Sequence, residues 1–228
     1  MNSQSGSERG LGLEVGGRTV APTGVIHVGG HHGEEADYYG AHGARTVAWI
    51  EAEPDAFEVL QRRVAHLPGH YCIQALAADR DDEERAFYRH RFPGGHKRGF
   101  CSTLPWDPGA VARDPLLSRL ETFDVRAMRS ITVATALRGC RLAPADFQYL
   151  SLNVQGAELL VLRGMGEYLE PIRWIFCDGE PEGASRYAGA PTTTEVREWL
   201  RPRGFQPMAA AASRLQFFFR VSDAAGPP

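Results

Sequence analysis

Oxygen-bearing side chains end or follow two apolar runs of the sequence, and their chemistry suits a cation. Asn153 ends the run 147–153, while Asp178 and Glu180 follow the run 174–177. If both runs are neighbouring parallel strands, their carboxyl ends converge at one edge of a sheet. Amide and carboxylate oxygens are ligands for a hard cation such as Mg²⁺, which would hold an acceptor and lower a hydroxyl pKa. The alternative is that Asp178 and Glu180 belong to a solvated loop.

A glycine-rich turn near the start of the chain has a different chemistry. It follows the apolar run 25–28 and contains Gly29, Gly30 and Gly33. Glycine has no Cβ, so a ligand can approach the backbone N–H groups of such a turn closely. Glu51 ends the next apolar run, where a carboxylate can accept hydrogen bonds from a ribose diol. The order predicts a nucleotide-type cofactor site, and a purely structural turn with a surface Glu is the alternative.

The adenine end of such a cofactor would lie after the third apolar run, where the chain has Leu76, Ala77 and Asp79. The glycine spacing favours S-adenosylmethionine over NAD, because a Gly-x-Gly-x-x-Gly turn aligned on Gly29 needs glycine where His31 and Glu34 stand. Carboxylates at a helix N-terminus would also repel a pyrophosphate, whereas a cationic sulfonium tolerates them. An NAD-dependent oxidoreductase is therefore the weaker alternative.

These sites depend on an alternation of strand-like and helix-like segments. We expect core strands at 25–29, 45–51, 70–75, 147–153, 174–177 and 215–221, a short extra strand at 85–90 and an extended segment at 131–133. We expect helices at 34–42, from Pro54, from Gln155 and at 194–201. The alternation predicts an α/β fold with a mostly parallel sheet.

The chain length fits one domain, which we place at residues 11–221. Residues 1–10 and 222–228 are polar or small, and we expect both to be disordered. Residues 91–120 are rich in Gly and Pro, so we expect a substrate lid or loop. The basic stretch 89–98 would recognise an acidic or hydroxylated substrate or form a solvated loop, and Trp106 would stack on a sugar or anchor the loop.

Composition narrows the classes of partner. The net charge is −3, which gives no general attraction to nucleic acid or an anionic membrane. No apolar run is long enough to span a bilayer, and the first ten residues lack the apolar core of a signal peptide, so we expect a cytoplasmic protein. The four cysteines have no Cys-x-x-Cys spacing, and His27 and His31 have no cysteine partner, which argues against zinc and disulfides. A homodimer would follow if apolar parts of 195–200 or 215–221 were exposed.

Four segments resemble those of the FkbM family of S-adenosylmethionine-dependent methyltransferases. They are residues 25–33, residues 50–57, the Ser-containing loop 100–104 with Ser102, and residues 150–164 with the block Val-Gln-Gly-Ala-Glu. The resemblance covers roughly residues 20–221. It implies a Rossmann-like class I methyltransferase fold: a mostly parallel seven-stranded sheet, helices on both faces and an antiparallel last strand. It also implies O-methylation, and Asn153, Asp178 and Glu180 are similar to the metal site of catechol-type O-methyltransferases.

The chain departs from the family pattern at two places. The family usually has Asp where this chain has His27, and Lys-x-Asp where it has Ser151 and Asn153. A neutral imidazole can accept a hydrogen bond, and Asn153 keeps an acceptor oxygen. The departures motivate an alternative function, a non-catalytic methyltransferase-like module that binds a nucleoside or a partner protein.

The sequence therefore predicts methyl transfer from S-adenosylmethionine to a hydroxyl of a sugar, an oligosaccharide or a glycosylated natural product, with Mg²⁺ as a possible aid. We expect the cofactor at His27, Gly29, Gly30, Gly33, Glu51, Leu76, Ala77, Asp79, Ser102 and Asn153. We expect catalysis by Asn153, Asp178 and Glu180, with His32 and His96 as candidate bases for the hydroxyl proton.

Overall fold

The fold is known from a computed structural model, which describes residues 14–15, 18–19, 21–93, 100–115, 117–180, 183–208 and 215–221. The strands in these ranges are β1 Glu14–Val15, β2 Arg18–Thr19, β3 Gly24–Val28, β4 Thr46–Glu51, β5 His70–Gln74, β6 Leu76–Ala77, β7 Glu84–Arg91, β8 Glu121–Ile131, β9 Tyr149–Leu152, β10 Trp174–Asp178, β11 Phe205–Pro207 and β12 Leu215–Arg220. The α-helices are α1 Ala36–Ala41, α2 Pro54–Val64, α3 Pro108–Arg113, α4 Val133–Gly139, α5 Glu158–Arg163 and α6 Thr193–Leu200.

Seven strands form the central sheet in the order β11-β12-β10-β9-β3-β4-β5. The pairs from β10 to β5 are parallel, and β12 is antiparallel to both of its neighbours. The predicted seven-stranded sheet with an antiparallel last strand is therefore confirmed. The chain order reverses between β3 and β9, and ligands of open α/β sheets bind at the carboxyl ends of the strands beside such a reversal.

The two faces of the sheet bury different clusters. Val25, His27 and Trp49 lie on the face that α1 and α2 cover, whereas Ile26 and Val28 lie on the face that α4, α5 and α6 cover. This follows from the alternation of side chains along a strand. The arrangement confirms helices on both faces of the sheet.

Two helices begin later than expected. α1 begins at Ala36 rather than at residue 34, and α5 begins at Glu158 rather than at Gln155. Gln155 and Gly156 have φ angles of 57° and 92°, and this left-handed conformation cannot belong to a right-handed helix. The delayed start leaves Gln155 in a turn, where its side chain is available to the site.

A second sheet has the order β6-β8-β7. Its strand β7 corresponds to the short strand predicted at 85–90, whereas most of β8 was not predicted. β8 covers 11 residues, so the prediction of a short extended segment at 131–133 was wrong, and α4 begins at Val133. Four of the 11 side chains of β8 are charged and ten are at least partly exposed, so the strand depends on its pairing with β7 and shows no apolar alternation. Within the expected loop 91–120, α3 begins at Pro108 and Asp107 caps it by accepting a hydrogen bond from the Ala110 N–H at 2.8 Å.

Some expectations fall on parts of the chain that are not described. They are the disordered termini at 1–10 and 222–228, and His96. Among the helices in the described ranges, none has the length and apolar character needed to cross a membrane.

Candidate functional site

A cavity of about 500 Å³ lies at the carboxyl ends of β3, β4 and β9. Its walls also include residues 75–77, which lead from β5 into β6, and the loop 100–103. The cavity lies at the reversal of strand order, where the fold predicts a ligand. Of the predicted cofactor residues, six line it: Gly29, Glu51, Leu76, Ala77, Ser102 and Asn153.

Glu51 joins the two backbone segments that form the floor of the cavity. Its Oε2 accepts a hydrogen bond from the His31 N–H, and its Oε1 accepts one from the Glu53 N–H, both at 2.7 Å. Burial raises the pKa of this carboxyl. Each carboxylate oxygen can accept more than one hydrogen bond, so Glu51 keeps lone pairs for a ligand's hydroxyl groups.

The three glycines of the turn have different roles. A Cβ on Gly29 would lie 2.0 Å from the carbonyl oxygen of Asn153, and its φ of 82° also excludes most side chains. Gly30 and Gly33 do not line the cavity, which corrects their predicted role. Gly30 packs on Trp49, and a Cβ on Gly33 would lie 2.7 Å from Leu60 of α2. Both are needed for close packing of the turn on α2 and the sheet.

His27 is buried in the core and does not line the cavity, which corrects its predicted place in the cofactor site. Its Nδ1 is 3.0 Å from the Tyr39 hydroxyl, and its ring stacks on Trp49 at 5.0 Å. Burial lowers the pKa of His27 to about 4, so the imidazole is neutral near pH 7. Its position on β3 points it to the face of the sheet that α1 and α2 cover, where it packs against Tyr39 and Trp49.

Asp79 also does not line the cavity. Its carboxylate pairs with the Arg85 guanidinium at 2.6 Å. Of the basic stretch 89–98, only residues 89–93 are described, and they do not form a single basic surface. Arg89 and His90 are buried in β7, while Arg91 is exposed at the end of that strand. Trp106 anchors its loop, stacking on Tyr187 and donating a hydrogen bond from Nε1 to Nδ1 of His90 at 3.0 Å.

The predicted Mg²⁺ ligands do not fit a metal. Glu180 is fully buried, and its carboxylate oxygens bind the Arg186 guanidinium at 2.6 Å and the Arg186 N–H at 2.6 Å. The Oδ1 of Asn153 accepts a hydrogen bond from Nε2 of Gln155 at 2.5 Å. A guanidinium beside Glu180 would repel a cation, so the prediction that Asn153, Asp178 and Glu180 share Mg²⁺ is corrected. Neither Asp178 nor Glu180 lines the cavity.

Of the two histidines of the turn, only His31 is among the lining residues of the cavity, and His32 lies beside it. His31 lines the cavity, its ring stacks on that of His32 at 3.7 Å, and its Nδ1 is 2.9 Å from Glu34. Burial and the neighbouring His31 lower the pKa of His32, so His32 is neutral near pH 7. Possible ligand atoms of His31, His32 and Glu34 lie within 4.8 Å of one another, but the three side chains are partly exposed and already interact.

Backbone strain is concentrated around the cavity. Three non-glycine residues that line it have left-handed backbone conformations: His31, Phe100 and Gln155, with φ angles of 44°, 60° and 57°. Such conformations cost free energy and persist where the surroundings hold them. The Tyr187 hydroxyl lies 3.0 Å from the Phe100 carbonyl oxygen and 2.9 Å from Oε1 of Gln155, and its single proton can be donated to either.

Several residues of the site escaped the sequence analysis. Glu53 lines the cavity, caps α2 and pairs with the buried Arg89, while Gln155 links Asn153 to Arg186. Proline is common at the first position of a helix, so Pro54 marks a helix N-terminus in the sequence. Glu53, the residue before it, could have been recognised as the cap of that helix. Arg89 and Arg186 had none, because their partners are far apart in the chain.

Comparison with known proteins adds a family match. The model of the methyltransferase FkbM domain matches residues 27–207. No curated protein matches the chain significantly. A solved FkbM methyltransferase from Methylobacillus flagellatus KT is similar at 14% identity and a TM-score of 0.52, over 89% of this chain and 44% of that one. The chain therefore spans less than half the length of that relative.

Two further solved structures are more distant. The ribosomal protein L11 methylase from Lactobacillus delbrueckii subsp. bulgaricus has 11% identity and a TM-score of 0.44, over 87% of this chain and 69% of that one. The 1,6-didemethyltoxoflavin-N1-methyltransferase of Burkholderia thailandensis, solved with S-adenosylhomocysteine, has 13% identity and a TM-score of 0.41, over 88% and 72%.

Proposed function

The chain belongs to the FkbM methyltransferase family, and on that basis we propose that it transfers a methyl group from S-adenosylmethionine to a hydroxyl oxygen. The acceptor is a sugar, an oligosaccharide or a glycosylated natural product. The observation that carries the proposal is the buried Glu51 carboxylate, which lines the cavity beside the glycine turn. An acceptor of hydrogen bonds at the end of the second core strand matches the hydroxyl groups of a ribose.

The remaining walls support the same cofactor. Leu76 and Ala77 give an apolar surface for adenine, and Ala75 precedes them on the same wall. Glu34, Glu35 and Glu53 also line the cavity, and their carboxyl groups favour a cationic sulfonium over a pyrophosphate. Burial and the nearby Glu34 raise the pKa of Glu35 to about 7, so this carboxyl is partly neutral near pH 7.

Methyl transfer needs alignment and a proton acceptor. The acceptor oxygen must lie in line with the sulfonium methyl group, and the cavity walls supply that constraint. The hydroxyl proton would leave to an imidazole beside the cavity, and the neutral His32 is one candidate. His96, outside the described residues, stays the other predicted base.

The direct experiment is a transfer assay with S-adenosylmethionine labelled in the methyl group and a panel of hydroxylated saccharides and glycosides. We expect label in an alkali-stable ether product from at least one acceptor. Cofactor binding without transfer to any acceptor would favour the non-catalytic module. Label in an amine or a thioether product would contradict O-methylation.

A further inference from the structure

Asn153 is held by a chain of polar side chains that begins at a buried ion pair. Glu180 is fully buried and pairs with Arg186, and Nη2 of Arg186 lies 3.3 Å from Oε1 of Gln155. The Tyr187 hydroxyl lies 2.9 Å from the same oxygen. Gln155 then donates from Nε2 to Oδ1 of Asn153 at 2.5 Å. The chain leads from the interior to the cavity wall.

The charge of Arg186 sets the direction of every bond in this chain. A guanidinium carries only donors, so the Gln155 atom that faces it must be the carbonyl oxygen. The amide nitrogen of Gln155 is then the atom that faces Asn153, and the Asn153 atom that receives its hydrogen bond must be Oδ1. Glu180 in turn holds Arg186 in place through two side-chain hydrogen bonds.

One consequence concerns the atom that Asn153 has left for a ligand. Its Oδ1 already accepts the hydrogen bond from Gln155, whereas its Nδ2 has no hydrogen-bond partner among the described residues. The neighbouring Ser102 hydroxyl is already used as a donor, since it donates to the backbone carbonyl oxygen of Gln155 at 2.7 Å. Asn153 is partly exposed and lines the cavity.

We propose that the Glu180–Arg186 pair, acting through Gln155, orients Asn153 so that its Nδ2 offers an N–H donor to the bound ligand. The ligand atom opposite this N–H is a hydrogen-bond acceptor, either the α-carboxylate of the cofactor or the reacting oxygen of the methyl acceptor. Arg186 and Gln155 are positioning residues, and Asn153 does not remove the proton. This assignment rests on the proposed function.

The first test asks whether Gln155 sets the orientation, with no ligand present. Gln155→Glu replaces the donor with a second acceptor, so the Asn153 amide must turn and donate from Nδ2 to the new carboxylate. We expect the side-chain ¹⁵N amide signals of Asn153, assigned by their loss in Asn153→Asp, to move in Gln155→Glu. The matched control, Gln74→Glu at the exposed end of β5, should leave them unchanged. Unmoved signals in folded Gln155→Glu would overturn the assignment.

The second test identifies the oxygen. Full-length wild-type protein is titrated with S-adenosylhomocysteine, with 5′-methylthioadenosine, which lacks the carboxylate, and then with acetate after loading with S-adenosylhomocysteine. A shift of the Asn153 amide with S-adenosylhomocysteine but not 5′-methylthioadenosine assigns the cofactor carboxylate, and a shift only with acetate assigns the acceptor oxygen. Whichever molecule causes it should bind Asn153→Asp more weakly by about tenfold or more.

The contradicting results separate the two proposals. If S-adenosylhomocysteine binds the wild type but neither it nor acetate moves the Asn153 amide, the donor assignment falls and the proposed function stands. Equal affinities of Asn153→Asp and wild type for the shifting molecule would also overturn the assignment. If the wild type binds no S-adenosylhomocysteine, the proposed function fails and the assignment fails with it.

Discussion

Single side chains at the cavity serve the fold and the ligand together. Glu51 connects the glycine turn to the start of α2 through two backbone N–H groups, and its remaining lone pairs face the cavity. Glu158 is a different case, since it is fully buried and its Oε2 has no hydrogen-bond partner in the described part of the chain. Burial, with the nearby Asp178 and Glu180, raises the pKa of Glu158 to about 8. Glu158 is therefore largely neutral near pH 7.

Glu158 gives a prediction about pH. Its pKa in the folded protein lies above the unfolded value near 4.5, so the wild type loses stability as the pH rises from about 4.5 to about 8. Glu158→Gln removes this loss. The free energy of unfolding of the variant, relative to that of the wild type, should therefore be higher at pH 8 than at pH 5 by about 2 kcal/mol or more. Denaturant unfolding at both pH values measures it. The exposed control Glu198→Gln should show no such gain. If Glu158→Gln gains no more than this control, Glu158 is not a buried neutral acid.

The residues near the turn were partly predictable from the sequence. Gly29, Glu51 and Leu76 follow apolar runs, so strand order alone brings them to the cavity. The face of the sheet on which the His27 side chain lies was not predictable, because it depends on which face of β3 the helices α1 and α2 cover. The role of Asn153 depends on Arg186, which is 33 residues away in the chain and shows no motif.

At the scale of elements, the turn between β3 and α1 meets the end of β9 directly. Gly29 donates from its N–H to the Ile50 carbonyl oxygen at 2.8 Å, and Asn153 donates from its N–H to the Val28 carbonyl oxygen at 3.0 Å. The β7–β8 ribbon is joined to α2 through Arg89, which pairs with Glu53, Asp55 and Asp124. Both junctions include residues that line the cavity, namely Gly29 and Asn153 in the first and Glu53 in the second.

Gly29→Ala tests the first junction. The new Cβ would overlap the carbonyl oxygen of Asn153, and the φ of 82° is strained for alanine, so the turn must move. We expect a loss of about 2 kcal/mol in the free energy of unfolding and about tenfold weaker binding of S-adenosylhomocysteine. The control is Gly40→Ala in α1, where a Cβ meets nothing within 4 Å. It should stabilise the protein by about 0.5–1 kcal/mol. Unchanged binding in Gly29→Ala would remove the turn from the site.

Arg89→Met tests the second junction. Removing this guanidinium takes the Arg89 cation away from the buried Glu53 carboxylate, so the free energy of unfolding should fall by about 3–5 kcal/mol. Arg91→Met is a close control, because both guanidinium groups lie about 5 Å from the Phe123 ring centre and Arg91 pairs with Glu121 in an exposed position. It should change stability by about 0.5 kcal/mol or less. Similar losses in the two variants, measured by denaturant unfolding, would argue against a buried ion-pair role.

The elements themselves differ in how well the sequence predicts them. Six of the seven strands of the central sheet lie in apolar runs and were predicted within about two residues, whereas the short strand β11 was not predicted. β8 has no such run, because it pairs with β7 and most of its side chains are at least partly exposed to solvent. Helix starts at Ala36 and Glu158 depend on backbone conformation in the preceding turns, which composition does not specify.

For the whole molecule, the strand order and the cavity indicate one ligand region. The sheet order reverses between β3 and β9, the cavity lies at that reversal, and Gly29, Glu51 and Asn153 reach it from three strands. The region that would hold Mg²⁺ is instead closed by the ion pair of Glu180 and Arg186. Catalysis in this account depends on positioning and proton removal by side chains of the chain itself.

The absence of a Mg²⁺ role can be tested on the intact protein. A cation that binds only the folded state raises the melting temperature in a saturable way. We expect no such rise when MgCl₂ is added to protein treated with EDTA, because Arg186 occupies Glu180 and Gln155 occupies the Asn153 oxygen. A saturable rise that Asn153→Ala abolishes would restore the metal site.

The most direct test of the central claim is calorimetric titration of the full chain with S-adenosylhomocysteine, with NAD as the competing ligand. The account predicts that the wild type binds one S-adenosylhomocysteine per chain and no NAD. Glu51→Ala, if its melting curve shows that it is folded, should bind about tenfold more weakly or not at all, while the exposed control Glu198→Ala binds as the wild type does. Failure of the wild type to bind S-adenosylhomocysteine, or equal binding by folded Glu51→Ala, would contradict the account.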